Sequence, residues 1–279
     1  MTDGMRAPAA LSFLVVLGLA AARVPPRPAV ELELVYLANE GFLARAGEHE
    51  LLIDAFVFEP YSGYAAVPAE LRAAMLAGKP PFDGVELALT SHFHLDHFQA
   101  AAAAEFLRAH PETKFLSSPQ VVDGLLAELG EDTALERIDA LLPEARQAAE
   151  TREKETRVEL IRLPHTGGTR TASVQNLGHV LELGGARLLH VGDADALDPA
   201  VEGYDLGERA LDVALVPYWW LGDAQGVARA RELTGAKHLV AVHVPPAELA
   251  DVKARLAALD PTILLFERAG ESRKLALER

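Results

Sequence analysis

The chain has no cysteine. That excludes a thiolate metal site, a disulfide framework and a lipid-acceptor cysteine, and it leaves cysteine usage silent on redox compartment. A cationic surplus is missing too: 26 Lys and Arg stand against 41 Asp and Glu, for a formal charge of -15. No basic stripe interrupts that balance, so a nucleic-acid partner, which clustered Lys and Arg would have to attract, is excluded. Mixed-sign runs such as AAETREKETR read as solvated surface. Aromatic residues make up only 6% of the chain, and the two tryptophans are neighbours in VPYWWLGD. There is no internal repeat and no internal linker, and 279 residues, half of them apolar, suffice for one core.

What is present begins with an uncharged segment, APAALSFLVVLGLAAA, placed between Arg6 and Arg23 and followed by VPPRP. Arg6 supplies the basic start, the Leu/Val run the apolar centre, and Ala20 and Ala22 the small residues of a cleavage site. Residues 1–28 therefore read as a signal peptide, or an N-terminal anchor if uncut, plus a proline-rich linker, with residues 29–279 as the globular domain. The implied location is periplasmic or extracellular, with a membrane reached only through an uncleaved leader.

From Glu31 onward short apolar runs alternate with turns. ELELVYLA, GFLARAG and ELLIDAFVF read as a strand meander punctuated by Gly41 and Gly47. GVELALTS is a further strand, and HFQAAAAAEFLRAH a helix stopped at His110 by Pro111. SSPQVVDGLLAELG has Ser118 at its cap, Pro119 in its first turn and Gly130 past its end. Residues 133–154 read as helical with an interruption at Pro143. RVELIRLP, LGHVLELGG and ARLLHVGD are three strands, the last two a hairpin at Gly184-Gly185. LDVALVPYW, KHLVAVHV and TILLFE follow as strands, separated by one helix through AQGVARARELTG and another opened by Pro245-Pro246. Strands flanked by helices in both halves predict an α/β fold of two mixed sheets packed face to face with helices outside, a four-layer αββα sandwich.

One stretch breaks these patterns. ALTSHFHLDHFQA places three of the ten histidines and an aspartate within six residues, between a strand and a helix. If the strand continues through His92, alternation sends His92 and His94 to one side, while Asp96 and His97 fall on the turn that follows. Imidazole and carboxylate donors suit zinc and other first-row divalent ions, and grouped imidazoles at a strand end are costly without a cation.

His92, His94, Asp96 and His97 match the H-x-H-x-D-H signature of the metallo-β-lactamase superfamily, which the chain resembles over its whole mature length. The resemblance extends to His165 in LPHTGG, Asp193 in LLHVGDAD and His243 in LVAVHVPP. It implies that His92, His94 and His165 hold one divalent ion, Asp96, His97 and His243 a second, and that Asp193 bridges the pair. Two such ions at about 3.5 to 4 Å lower the pKa of a shared water to about 7, giving a bridging hydroxide at neutral pH. Zinc is the first expectation, with manganese or iron as alternatives. Asp96 would orient the hydroxide and Asp193 would serve catalysis through the bridge. Asp54 matches an early strand-end aspartate of many relatives, implying that it orients a ligand imidazole. His179 competes with His165 for the ligand role, but it lies within a strand, so it reads as a core residue or one supporting the ligands. His190 and His238 read as ordinary packed or surface histidines.

Within the superfamily, Asp193 and the YLANEGFLARAGEHELLIDAF segment look most like the branch of ascorbate-6-phosphate lactonase and N-acylphosphatidylethanolamine phospholipase D. The implied reaction is hydrolysis of an ester, lactone or phosphodiester in a small-molecule or lipid-like substrate. The alternative is a non-hydrolytic relative, iron-dependent and acting as a sulfur dioxygenase, or merely metal-binding. Tyr218, Trp219 and Trp220 after one strand, and Tyr61 and Tyr64 after another, are the candidates to line the substrate site.

Overall fold

The computed structural model describes residues 30–130 and 135–277; the leader and linker read over residues 1–28 lie outside these. Among the described residues no helix is long and apolar enough to cross a membrane. Strands β1 (Val30–Ala38), β2 (Gly41–Ala46) and β3 (His49–Ile53) form the expected antiparallel meander. Strands β4 (Val85–Leu89), β5 (Lys114–Ser117) and β6 (Ile138–Ala140) extend that sheet in parallel. Its outer face is covered by helices α1 (Ala69–Leu76), α2 (Ala100–Ala109) and α3 (Pro119–Leu129).

The second sheet repeats the plan. Strands β7 (Ala148–Glu153), β8 (Thr156–Arg162), β9 (Leu177–Leu183) and β10 (Ala186–His190) are antiparallel, and β11 (Val213–Pro217), β12 (His238–Val242) and β13 (Leu264–Leu265) continue in parallel. Helices α4 (Pro199–Glu202), α5 (Ala224–Thr234) and α6 (Leu249–Leu259) accompany it. The chain ends by crossing back: β14 (Ser272–Leu277) pairs antiparallel with β1 and completes a first sheet of seven strands, equal to the second.

Side-chain alternation explains the layering. Leu51 and Ile53 of β3 face the other sheet while Leu52 faces the helices; Val213 and Leu215 of β11 face inward while Ala214 and Val216 face outward. Strands buried on both faces read as continuous apolar runs, and two such sheets need helices outside them. The fold is the four-layer αββα sandwich.

Several local expectations change. Strand β4 ends at Leu89, where its neighbours' pairing stops at Ile53 and Leu116, so His92 and His94 lie on a loop rather than on a strand. Helix α2 starts at Ala100, three residues later than its propensity suggests. Gln99 is extended because its side chain is engaged elsewhere: Oε1 accepts from the Phe58 and Glu59 amides, and Nε2 donates to the Leu95 carbonyl. Of residues 133–154, read as helical, 133–134 lie outside the described residues; the rest hold a single 3-10 turn, β6 and β7. Edge pairing of β7 to β8 overrides helix propensity there, closed by a hairpin with Lys154 at φ 49°. Pro245-Pro246 precede α6 in a turn instead of opening it, and the strand read in TILLFE shrinks to Leu264–Leu265. Strand β14 went unread because SRKLAL is an exposed, alternating edge.

His179 lies on β9 with Leu177 and Leu181, on the face turned toward the other sheet, fully buried and stacked 5.8 Å from His190. Burial, helped by His190, pushes its pKa from 6.5 down to about 3. With the folded value below the unfolded one, the unfolded chain takes up the proton first, so stability present above pH 6.5 falls as the pH drops toward 3. The slope from one such proton is about 1.4 kcal/mol per pH unit. In urea unfolding between pH 6.5 and 4, His179→Leu is expected to lose about one proton's worth of that dependence. Equal slopes in the two proteins would place the uptake elsewhere.

Candidate metal centre

Loops leaving the same edge of the sandwich supply every donor. His92, His94, Asp96 and His97 follow β4, His165 follows β8, Asp193 follows β10 and His243 follows β12 directly. The β4 loop is folded into a tight turn by the His97 and Phe98 amides, both donating to the His94 carbonyl. His165 reaches the centre through a bridge to Ala194 that ties the β8 and β10 loops together.

The donor atoms gather in two groups. In one, His94 Nδ1 lies 3.0 Å from His92 Nε2 and 3.2 Å from His165 Nε2. In the other, His243 Nε2 lies 3.1 Å from His97 Nε2 and 3.3 Å from Asp96 Oδ2. Asp193 stands between them and divides its oxygens. Oδ2 is 3.4 Å from His165 Nε2 and 3.9 Å from His92 Nε2, while Oδ1 is 3.2 Å from His97 Nε2 and 3.4 Å from His243 Nε2. Four donors held tetrahedrally at about 2.0–2.1 Å from an ion sit roughly 3.3 Å from one another, so these spacings fit a divalent cation in each group.

The hydrogen bonds behind the rings aim their lone pairs. His165 Nδ1 donates to the Thr166 carbonyl (2.6 Å), and His97 Nδ1 donates to Asp54 Oδ2 (2.8 Å). Ser91 Oγ donates to Asp54 Oδ2 (2.6 Å) and can accept from His92 Nδ1 (3.0 Å). In each case the far nitrogen carries the proton and the near nitrogen faces the centre with its lone pair. Asp54 also accepts from the Ser91 amide (2.7 Å). Its burial favours the acid, but the His97 hydrogen bond and the nearby His190 ring hold the carboxyl below its usual range. Asp193 is treated alike: burial opposes its charge, and His97 and His243 overcome that to hold it well below the usual carboxylate range. Burial keeps the His92 and His94 imidazoles below their ordinary pKa, which favours the neutral ligand form.

Two buried asparagines set the loops, and the sequence reading passed over both. Asn39 donates to the Ala65 and Asp96 carbonyls and accepts from the Ala65 amide, while its own carbonyl accepts from the His243 amide. Asn176 donates to the Leu163 and Val191 carbonyls and accepts from the Asp193 amide. Gly192 lies between these partners at φ 54°, where an added Cβ would stand 2.3 Å from Asn176 Oδ1 and 2.8 Å from Ser91 Cβ. Three further residues at the site, Asn39, Asp54 and His243, hold positive φ without being glycine, a strain that tertiary contacts have to sustain.

The aromatic candidates divide. Tyr64 and Trp219 meet the His243 ring edge-on at 5.0 and 5.1 Å, and Tyr218 lies 5.7 Å from Trp219. Trp220 is buried and donates to the Ala194 carbonyl, so it braces the Asp193 loop. Tyr61 stands at the surface, 48% exposed. Phe93, not singled out in the sequence, lies 4.9 Å from His94. A groove of about 710 Å³ opens beside Trp219, between Asp195, Leu197, Asp223 and Arg229. His179 does not join the donors; it stays between the sheets against His190.

Gly192→Ala is expected to displace Asp193, lowering metal affinity on the order of tenfold or more while the protein remains folded. Chelator competition checks this, and a variant with unchanged affinity would show that the loop tolerates the methyl.

The family described as the beta-lactamase superfamily domain matches residues 49–265. Among solved structures, a metallo hydrolase of the hyperthermophilic archaeon Ignicoccus hospitalis is similar at TM-score 0.59 and 17% identity, covering 89% of this chain and 100% of its own. An isothiocyanate hydrolase from Delia radicum gut bacteria gives TM-score 0.60 at 15% identity, over 88% of this chain and 100% of its own. A metallo-beta-lactamase fold protein of Bacillus subtilis gives 0.59 at 12%, over 88% and 99%. No curated protein matches the chain.

Proposed function

The chain belongs to the beta-lactamase superfamily and has its metallohydrolase fold, and we propose that it is a hydrolase that uses two divalent ions, zinc foremost, to cleave an ester, lactone or phosphodiester bond. The observation that carries this reading is the division of Asp193, one oxygen toward each donor group. His92, His94 and His165 would hold one ion, and Asp96, His97 and His243 the other, with Asp193 shared. Bound there, the ions supply Lewis acidity that activates water and polarises the substrate's electrophilic oxygen.

The protein's own groups complete the chemistry. Asp96 is buried; burial opposes its charge, but the neighbouring His243 and His97 rings hold its carboxyl below the usual range. It can accept the proton of the attacking water and pass it to the leaving group. Burial, reinforced by the Asp96 and Asp193 charges, raises the Tyr64 phenol, so it stays protonated and able to donate to oxygen developing negative charge. Tyr64, Trp219 and Phe93, each against a ligand imidazole, favour an apolar or ring-bearing group beside the scissile bond. The groove beside Trp219 would take the remainder of a small-molecule or lipid-like substrate. The uncharged segment at residues 7–22 supports action outside the cytoplasm.

The test is a screen of bis(p-nitrophenyl) phosphate, lactones and thioesters on metal-quantified protein. Activity should vanish on chelation and return with Zn²⁺ or Mn²⁺, His94→Ala should lower it on the order of a hundredfold, and Asp193→Ala should lose bound metal. Asp193→Ala that keeps two ions and full activity would remove the shared carboxylate from the reading.

The pocket makes a separable prediction. With an active substrate in hand, Tyr64→Phe should lower kcat about ten- to hundredfold without loss of metal. Trp219→Ala should chiefly raise KM. Unchanged kinetics in both would take these side chains out of the substrate site.

A further inference from the structure

Glu40 occupies the two-residue turn between β1 and β2, a place where charged side chains normally meet water, yet it is fully buried. The turn is drawn inward because Asn39 is bound to the Ala65 and Asp96 backbone, and because Gly41 lets the Asp54 carbonyl approach where a Cβ would stand 2.7 Å away. The carboxylate enters the space between the sheets, directly behind the Asp96, His97 and His243 group. Its Oε2 is 3.1 Å from His190 Nε2 and 4.0 Å from His97 Nδ1. Neither Glu40 oxygen has an aligned hydrogen-bond donor, so what this side chain contributes is charge more than hydrogen bonding.

His190 gives that charge a direction. Its Nδ1 accepts from the Gly192 amide at 3.3 Å, which places the ring proton on Nε2. That proton has two carboxylates within reach, Glu40 at 3.1 Å and Asp54 at 3.8 Å. With Glu40 present, Asp54 is left to the Ser91 and His97 donors.

We propose that Glu40 is a positioning residue for the ion held by Asp96, His97 and His243: it supplies a buried negative charge behind that group and holds His190 away from Asp54, so that Asp54 stays with its Ser91 and His97 donors. This rests on the two-ion reading above. Glu40 touches no substrate. It acts through His190, Asp54 and His97.

The experiment is a Zn²⁺ titration of metal-stripped, full-length protein against a chromophoric chelator, with folding followed by circular dichroism. Wild type should bind two Zn²⁺ per chain. Glu40→Gln, which removes the charge and keeps the shape, should weaken one of the two on the order of tenfold or more and leave the other within about twofold. Glu40→Asp should restore most of the lost affinity. Glu86→Gln is the control: Glu86 is also buried, but it is tied to His49, Thr156 and Lys154 away from the centre, so both Zn²⁺ affinities should stay. Should Glu40→Gln not fold, Glu40→Ser, small enough to admit water, is expected to show the same selective loss. Folded Glu40 variants with both affinities intact, or with both lowered equally, overturn the proposal. Wild type that binds fewer than two Zn²⁺ overturns the two-ion reading itself, whatever Glu40 does.

Discussion

Five imidazoles present their lone pairs to one small volume, with two carboxylates among them, and packing alone would not hold such groups together. Lone pairs about 3 Å apart repel unless a cation or a proton lies between them. The rest of the site follows from meeting this constraint. Each ring with a partner behind it spends its far N–H on an oxygen, His165 on the Thr166 carbonyl and His97 on Asp54. Each donor loop is fastened to another, through Asn39 on one side and Asn176 on the other. His243 Nδ1 has no hydrogen bond, and the ring is held by Tyr64 and Trp219 instead.

The sandwich makes this economical. Where two apolar sheets are packed face to face, strand ends from both emerge along one edge, and short loops can converge without long excursions. The same packing buries whatever points inward at that edge. Glu40, Asp54, His179 and His190 are therefore enclosed in a layer that would otherwise be Leu and Val, immediately behind the donors. A buried carboxylate beside an imidazole in such surroundings is a poor source of stability. Its position, one contact removed from His97, is what connects it to the centre.

Family membership and geometry support different parts of the functional conclusion. The superfamily match runs from β3 to β13 and takes in every donor loop, and it makes the fold that of a metallohydrolase. The solved neighbours, at 12–17% identity, share architecture over nearly the whole described chain. The proposed hydrolysis rests on local features: the divided Asp193, the ionised Asp96, the protonated Tyr64 and the aromatic walls.

Local sequence carried what local chemistry dictates. Alternating apolar runs marked most of the strands, glycine and proline marked their ends, and the spacing of His92, His94, Asp96 and His97 placed four donors within one turn of chain. Strand-end context separated His165 from His179, since a side chain inside a doubly buried strand has only the core to enter. Other features had no local signature. Strand β7 is a strand because β8 is beside it, and Gln99 delays α2 because the Phe58 loop needs its carbonyl. Glu40 reads as an ordinary polar turn residue until Asn39 pulls the turn inward, and His190 reads as a packed histidine until Glu40 arrives opposite it. Sequence determines which groups can donate, accept or ligate and how far apart they lie along the chain. Only the three-dimensional fold decides which of them meet, because burial and partner choice depend on residues more than a hundred positions away, as they do for His97 and His243.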